Sequence, residues 1–155
     1  MAGASLKVEW NSEDLKKVNK VFADLLAQTD NLEPLMRDIG EYLLPAHKDR
    51  IAQGITPDGV AFEPLSPDYV SSERKRKSRG ADKILILDDF LRGDLAYQVD
   101  GNGLQLGTNV VYGATHQFGR TKGNIPARPF LGFSDADIDE IEAIAQDYLA
   151  EIMAI

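Results

Sequence analysis

Two histidines, His47 and His116, are the only imidazoles in the chain, so acid–base chemistry near neutral pH would depend on them. A hydrolytic triad also needs a nucleophile and an orienting acid, and serines and aspartates are plentiful. However, no GxSxG sequence indicates a strained nucleophile. His47 lies in the polar stretch HKDR, which indicates an exposed or partly buried ring, and His116 lies in the glycine-containing YGATHQFGR. We interpret both as structural residues, and an enzyme that uses His116 is the least favoured alternative.

Metal and cofactor chemistry also lacks the residues that it needs. The chain has no cysteine, which excludes a disulfide framework, a cysteine nucleophile and a thiolate metal site. The HEXXH and EF-hand patterns are absent, and the acids of DADIDE lie at a predicted helix start without the glycine of a calcium loop. Asp88 and Asp89 are adjacent, so their carboxylates point apart, and a turn is the favoured role. The sequence therefore predicts no catalytic residue, no metal and no cofactor.

Positive charge is concentrated in SSERKRKSRG, residues 71–80, although the formal net charge of the chain is −8. That net charge disfavours attraction to phosphate backbones, and the segment has no aromatic side chain on which a base could stack. Residues 134–151, by contrast, include acids and no Lys or Arg. We therefore favour an acidic protein surface, such as this helix in a neighbouring subunit, over nucleic acid as the partner. The cations assigned to this interface are Arg74, Lys75, Arg76, Lys77 and Arg79.

Two N-terminal helices are predicted from apolar residues at helical spacing. The first runs roughly from Glu13 to Gln28, after a short lead with alternating apolar residues. The second follows the TDN turn, has Pro34 in its first turn and ends before Gly54. Pro45 interrupts its apolar pattern, so we expect a kink or a break at that point.

Residues 54–83 are predicted to form a long loop, because the periodicity fails and GITPDGVAFEPLSPDY holds three of the seven prolines. Part of this loop should pack down through apolar residues that include Val60, Phe62 and Tyr69. Residues 71–80 have nothing to bury, so we expect them to be mobile in an isolated subunit.

A small, mostly antiparallel sheet is predicted after the loop. ILIL, residues 84–87, is a short apolar run that favours a buried strand. LAYQV and LQLGT flank the turn sequence DGNG and predict a hairpin over residues 95–108. VVYGATHQFG then leads from a strand end into a short helical turn, and the prolines of IPARPFLGF favour an extended segment.

The last predicted element is an amphipathic helix that starts at Ser134 and reaches Met153. Ser134 and Asp137 have the spacing of a capping box. Two N-terminal helices, a small sheet and a C-terminal helix indicate an α+β fold with the helices on one face of the sheet. The length of 155 residues fits a single domain spanning 1–155. No long apolar run or signal-peptide pattern occurs, which indicates a soluble protein that is not exported.

Several motifs occur in a fixed order along the chain. PDGVAFEPLSP (57–67) is followed by the basic segment, ILILDDFLRGDL (84–95) and a hairpin that ends in LGT. YGATHQFG (112–119) and IPARPFLGFSDAD (125–137) come next, and HQFG followed by IPARPFLG is the most specific part. This pattern resembles the phage virion morphogenesis family, which comprises tail completion proteins of Mu-type and similar contractile-tailed phages. The resemblance covers roughly residues 10–150.

The resemblance implies a structural virion protein, not an enzyme, that acts in tail completion or termination and in head–tail joining at the head-proximal end of the tail. Related terminators form closed rings, often hexamers. The implied partners are therefore further copies of the chain, the tail tube, the sheath and the head connector proteins, with no membrane contact. Assembly would take place in the host cytoplasm. The alternative is a head–tail connector protein that contacts DNA through its basic arm, residues 74–79.

HQFG and IPARPFLG supply the remaining residues of the predicted assembly surface. We expect His116 and Gln117 to form hydrogen bonds at a strand-to-loop transition, with Phe118 as the packing anchor beside IPARPF. Arg128 lies between two prolines that restrict the backbone, so its guanidinium should be presented to a carboxylate of a neighbouring subunit. A ring needs heterologous interfaces, and an uneven charge distribution suits them. The motif residues assigned to the interface are His116, Gln117, Phe118, Arg128, Pro129 and Phe130.

Overall fold

The computed structural model of the chain describes residues 4–7, 16–78, 80, 83–86 and 89–154, with side chains from Lys20 onward except at 22 and 26. None of the helices in these ranges has the length and apolar character to cross a membrane. In chain order the elements are β1 (Ala4–Lys7), α1 (Lys16–Gln28), α2 (Glu33–Gln53), α3 (Pro67–Ser71), α4 (Glu73–Arg76), α5 (Phe90–Asp94), β2 (Ala96–Asp100), β3 (Gly103–Thr108), α6 (Gly113–Phe118) and α7 (Asp135–Met153).

The sheet is antiparallel, with the strand order β1-β3-β2. β2 and β3 form the predicted hairpin, with Asp100 opposite Gly103, and Gly101 takes the positive φ of 57° that the turn requires. β1 pairs with the other edge of β3, so that residues 4–7 lie opposite 105–108. The sequence pattern does not predict this strand, because four residues are too few to establish a period of two.

The helices pack on one another and on the sheet. α2 lies against β2 and β3, and α7 contacts both α1 and α2. This arrangement confirms the predicted α+β fold, with two N-terminal helices, a sheet and a C-terminal helix around one core. The first predicted helix is confirmed over Lys16–Gln28, whereas residues 13–15 lie outside the described ranges. Fully enclosed core side chains include Leu25, Leu32, Leu35, Met36, Ile39, Leu43 and Ile51.

α2 continues through Pro45 as one helix, so a break near Leu44 is wrong, whereas the kink stays a prediction. A proline inside a helix removes one hydrogen bond and costs about 3 kcal/mol. Leu43 and Ile51 are buried on either side of it, and this tertiary packing outweighs the local cost. Pro34 occupies the first turn as predicted, and Gly54 ends the helix in the left-handed conformation, with a φ of 73°.

α3 and α4 occupy part of the region where a long loop is predicted. Ser66 and Ser72 precede these helices, and the hydroxyl of each accepts a hydrogen bond of 3.3 Å from a main-chain amide. Phe62 is buried as predicted, whereas Val60 and Tyr69 are exposed. The mobility of the basic segment stays a prediction.

The basic segment does bury one side chain, because Lys75 is only 1% exposed. Its ammonium donates to the main-chain oxygens of Gly80, Lys83 and Ile86, the last at 2.9 Å. These bonds direct three carbonyls toward one point, and Leu85 takes a positive φ of 63° that a regular strand excludes. The prediction that this segment buries nothing is therefore wrong, and so is the predicted ILIL strand over the part that the structure describes.

Candidate functional site

A short helix and the glycine after it position the HQFG motif. α6 covers Gly113–Phe118, which confirms the predicted helical turn. Gly119 follows with a φ of 76°, and a Cβ there would lie 2.8 Å from the main-chain nitrogen of Ala127. Arg120 and Ile125 then pair through main-chain hydrogen bonds of 2.8 and 2.9 Å. Because only glycine fits this approach, HQFG lies directly against the IPARPFLG segment.

Gln117 joins the two motifs through its side-chain amide. Its Oε1 accepts hydrogen bonds from the main-chain nitrogens of Phe130 and Leu131, each at 3.0 Å. Its Nε2 donates to the main-chain oxygen of Leu131 at 3.2 Å. The predicted hydrogen-bonding role of Gln117 is confirmed, and it satisfies main-chain groups that the core encloses.

Replacing Gln117 with alanine should lower the free energy of unfolding by about 2–3 kcal/mol, because enclosed main-chain groups lose their partners. Urea denaturation followed by circular dichroism measures this change. Gln98→Ala is the control, since Gln98 is exposed on β2, and it should stay within about 0.5 kcal/mol of the wild type. Equal losses in the two variants would show that the Gln117 bonds contribute nothing specific.

The ring of His116 forms no hydrogen bond with any residue that the structure describes. Its Nδ1 is buried without a partner, and the ring makes an edge contact with Tyr112, with centroids 5.8 Å apart. Instead, the main-chain oxygen of His116 accepts from the nitrogen of Arg128 at 2.7 Å. The predicted ring hydrogen bond is therefore wrong. Burial, and then the charge of Arg128, lower the pKa of His116.

His116→Phe should reduce the loss of stability in mild acid. The folded pKa of His116 lies below the ordinary value of 6.5, so unfolding takes up a proton as the pH falls through 6.5, and stability decreases. The variant lacks this contribution, which is at most about 1.4 kcal/mol per pH unit and smaller for a partly exposed ring. Urea denaturation at pH 7 and pH 5 should show similar stability at pH 7 and a shallower loss in the variant. Identical losses in both proteins would contradict the assignment.

His47 is fully buried on α2, so the expected exposed or partly buried position is wrong. Its Nδ1 lies 2.7 Å from the main-chain oxygen of Leu43, and its Nε2 accepts from the nitrogen of Gly132 at 3.3 Å. Burial is the largest cause that lowers its pKa. Since both ring nitrogens are engaged by main-chain groups, His47 is not placed to act as a general base.

An ion pair with little exposure to solvent, 11% at Arg50 and 2% at Asp137, connects α2 to the start of α7. Arg50 Nη1 donates to Asp137 Oδ2 at 2.8 Å, and the hydroxyl of Tyr42 donates to Asp137 Oδ1 at 3.0 Å. Burial and then the Asp137 hydrogen bond raise the pKa of Tyr42 to about 12. Ser134 and Asp137 also form the predicted capping box. The carboxylate therefore holds two helices together as well as capping one.

Arg128 is enclosed mainly by its own chain, and its predicted contact with a carboxylate of a neighbouring subunit stays a prediction. It is 5% exposed, and its Nε and Nη2 donate to the main-chain oxygens of Glu63 and Pro64 at 2.6 and 2.8 Å. Restricted backbone freedom between prolines fixes the main chain but not the direction of the side chain. Phe130 is 0% exposed and Pro129 is half-buried, so this segment belongs largely to the core.

Phe118 has the opposite placement to the one predicted, because it is 75% exposed rather than a packing anchor. Arg74, Arg76 and Lys77 of the basic segment are also exposed. Lys75 is buried and so is not available for an interface, and residue 79 lies outside the described ranges.

A groove of about 680 Å³ lies between the loop before α3, α5 and α6. Aromatic side chains form part of its walls, and Phe90 is 67% exposed. Phe118 lies at an adjacent hollow, and residues 124–126 line both features. We call it the aromatic groove, and define it by Tyr69, Arg74, Phe90, Tyr112, His116 and Arg128.

Residues 13–150 match the phage virion morphogenesis family. The chain belongs to this family. It is a virion-associated protein of phage morphogenesis, and family membership favours a structural rather than an enzymatic role. In the part of this virion morphogenesis protein that the structure describes, no three His, Asp or Glu side chains are grouped as they would be around a metal ion.

Two relatives share about a third of the residues that align with this virion morphogenesis protein. An uncharacterized protein of Methanocaldococcus jannaschii is 36% identical over 101 residues, which is 63% of this chain and 73% of that protein. Mu-like prophage FluMu G protein 1 of Haemophilus influenzae is 35% identical over 99 residues, 62% of this chain and 64% of that protein. The alignment thus spans just under two thirds of the prophage protein. No solved structure matches the chain.

Sequence reasoning about this virion morphogenesis protein does not find the aromatic groove. Phe90 and Leu91 are adjacent apolar residues, yet Phe90 is exposed and Leu91 is buried. α5 has only five residues, which is too short for periodicity to separate an inner face from an outer one. The order of the motifs predicts the family, whereas the direction of each side chain depends on tertiary contacts.

Proposed function

We propose that this protein completes or terminates the phage tail and joins it to the head, as a ring of identical subunits at the head-proximal end. The observation that carries the proposal is the family match over residues 13–150, and the similarity to a Mu-like prophage protein supports it. Partners in this role are further copies of the chain, the tail tube, the sheath and the head connector proteins. The protein would meet these partners in the host cytoplasm and remain in the virion.

Exposed apolar side chains support an assembly role. Phe90 and Phe118 flank the strip formed by residues 124–126, and Val111 is exposed just before α6. Large apolar side chains grouped on a surface are typical of contact sites, because water solvates them poorly. These residues are therefore candidates to contact a neighbouring subunit or another virion protein.

Uneven charge supports association between unlike patches. Arg74, Arg76 and Lys77 are exposed on one segment, whereas residues 134–155 carry no Lys or Arg. A closed ring with rotational symmetry joins one patch of a subunit to a different patch of the next. Opposite charge on two separate patches steers such contacts and disfavours the wrong pairing.

Deletion of the gene from a phage that encodes this protein tests the function. We expect particles with tails of abnormal length or with tails that are not joined to heads, as seen by electron microscopy. Expression of the wild-type protein in the host should restore normal particles. Tails of normal length, joined to heads in the deletion strain, would overturn the proposal.

A DNA-contacting connector protein is the second candidate, and the exposure of Arg74, Arg76 and Lys77 favours it. A gel shift with duplex DNA at low salt tests this role, because phosphate contacts weaken steeply as salt rises. A salt-sensitive shift that disappears when these three cations are replaced with glutamine would support DNA contact. No shift at low salt would exclude it, as the net charge of −8 suggests.

A further inference from the structure

We infer that the aromatic groove receives the exposed face of α7 from a second copy of the chain, so that each subunit joins its neighbour groove to helix. This inference rests on the proposed assembly into a ring and names the two surfaces that would meet. The sequence placed the contact on the whole basic segment, whereas this inference places it on the groove. Of the described residues of the basic segment, Arg74 and the buried Lys75 line the groove.

The groove contains a cation that is already removed from water. Arg128 is 5% exposed, and no described carboxylate lies within ion-pair distance of its guanidinium, which instead donates to two main-chain oxygens. Glu63 lies on the same groove and favours the charged form of Arg128 from a distance. Because folding has already desolvated this charge, a carboxylate brought near it gains attraction without repeating that cost. Arg74 adds an exposed positive charge at the rim.

The exposed face of α7 has matching chemistry. Ala136, Ala143 and Ala150 are exposed and seven residues apart, which places them on one side of the helix. Glu140 and Asp147 are exposed on the same side, at positions four and eleven residues after Ala136. Small side chains let a helix approach aromatic walls closely, while the flanking carboxylates can reach the cations of the groove.

A second copy is the occupant that charge complementarity favours. The helix offers acids from a stretch without Lys or Arg, and the groove offers Arg74 and Arg128. The described groove lining includes no residue of α7, and the acidic face of α7 remains exposed in the isolated subunit. The two patches are therefore distinct on one subunit and would form a heterologous contact, which closes into a ring when the rotation between subunits permits.

Introduced cysteines test this contact directly, because the chain has none of its own. Glu63→Cys places a thiol at the groove, and Ala143→Cys places one at the centre of the α7 face; both positions are exposed. The two purified variants, distinguished by tags of different mass, are mixed and oxidised. We expect a disulfide-linked heterodimer to predominate, severalfold above its yield when Gln98→Cys, an exposed position on β2, replaces the groove variant.

Charge is tested in the same assay. Neutralising the helix with Glu140→Gln and Asp147→Asn in the Ala143→Cys variant should remove most of the heterodimer. An unchanged yield would overturn the proposed charge pairing. The inference would be overturned if the yield of heterodimer were no greater than in the Gln98→Cys control. It would also be overturned if only the groove-to-groove homodimer formed, since the groove would then receive a different partner or none.

The deletion phage separates this inference from the proposed function. Ala143→Arg should give a folded protein that fails to restore tails in the deletion strain. If cross-linking fails while the deletion still produces defective tails, the groove-to-helix contact is wrong and the proposed function stands. If cross-linking succeeds while the deletion leaves tails normal, the contact is correct and the proposed function is wrong.

Discussion

Replacing Asp137 with alanine is expected to lower the free energy of unfolding by about 3–5 kcal/mol, because the substitution leaves Arg50, whose side chain is only 11% exposed, without its counter-charge. Asp137 is 1% exposed, and its carboxylate accepts hydrogen bonds from Arg50, Tyr42 and the main-chain nitrogen of Ser134. The change removes all three at once. It would also separate the start of α7 from α2, so the loss should exceed the effect of an ordinary helix cap. Urea denaturation followed by circular dichroism provides the measurement.

Asp135→Ala is the matched control, since Asp135 is an exposed carboxylate in the same first turn of α7. It should lose only the interaction with the helix dipole, about 0.3–1 kcal/mol. Asp137→Asn should be intermediate, because the amide keeps an oxygen acceptor but not the charge. If Asp135→Ala and Asp137→Ala are equally stable, the buried ion pair contributes little and the helix dipole accounts for both.

The phenylalanines of the two motifs should respond to substitution in opposite ways. Phe130→Ala is expected to cost about 3–5 kcal/mol of stability, since Phe130 is 0% exposed and its removal leaves a cavity in the core. Phe118→Ala should change stability by less than about 0.5 kcal/mol, because the side chain is 75% exposed. In the deletion phage, however, Phe118→Ala should reduce the yield of complete particles. Urea denaturation and electron microscopy of the particles measure the two effects.

Leu and Ser substitutions at the same positions refine this comparison. Phe130→Leu should recover part of the stability that alanine loses, because it fills more of the cavity. Phe118→Leu should preserve more assembly than Phe118→Ser if the exposed ring makes an apolar contact. A Phe118→Ala protein that is strongly destabilised would mean that the ring packs within its own subunit.

Local patterns predicted the parts of the fold that depend on few neighbours. Gly101 of DGNG takes the positive φ of the hairpin turn, and the hydroxyl of Ser134 accepts from the amide of Asp137. Both features involve residues within a few positions of each other. Their geometry is consequently determined by the residue types alone, and the structure confirms them.

Predictions failed where a distant group decided the outcome. ILIL has the composition of a strand. However, the main-chain oxygen of Ile86 accepts a hydrogen bond from the ammonium of Lys75, so it is not paired with a neighbouring strand. Pro45 ordinarily breaks a helix, but the core holds α2 together on both sides. No periodicity within the segment itself contains this information, since each deciding contact comes from tertiary packing.

In the candidate site, too, the local sequence predicts some features, while tertiary contacts decide the others. The order of HQFG and IPARPFLG predicted the family, and the side chain of Gln117 does join the two motifs. The predicted packing of Phe118 is wrong, because its ring is exposed, and Arg128 is more enclosed by its own chain than its charge alone indicates. A charged residue and an aromatic residue are expected outside and inside respectively. Here the carbonyls of residues 63 and 64 satisfy the arginine, and nothing in the described part of the chain covers Phe118 fully.

The contact between α1 and α7 has a consequence for synthesis on the ribosome. These helices lie near opposite ends of the sequence, and β1 also pairs with residues about 100 positions away. A nascent chain therefore exposes the apolar residues of α1 and α2 until α7 has emerged and docked. The acidic face of α7 becomes fixed in space only at that stage. Chains that stop before α7 consequently leave the apolar residues of α1 and α2 uncovered, and such exposed apolar surface is prone to aggregation.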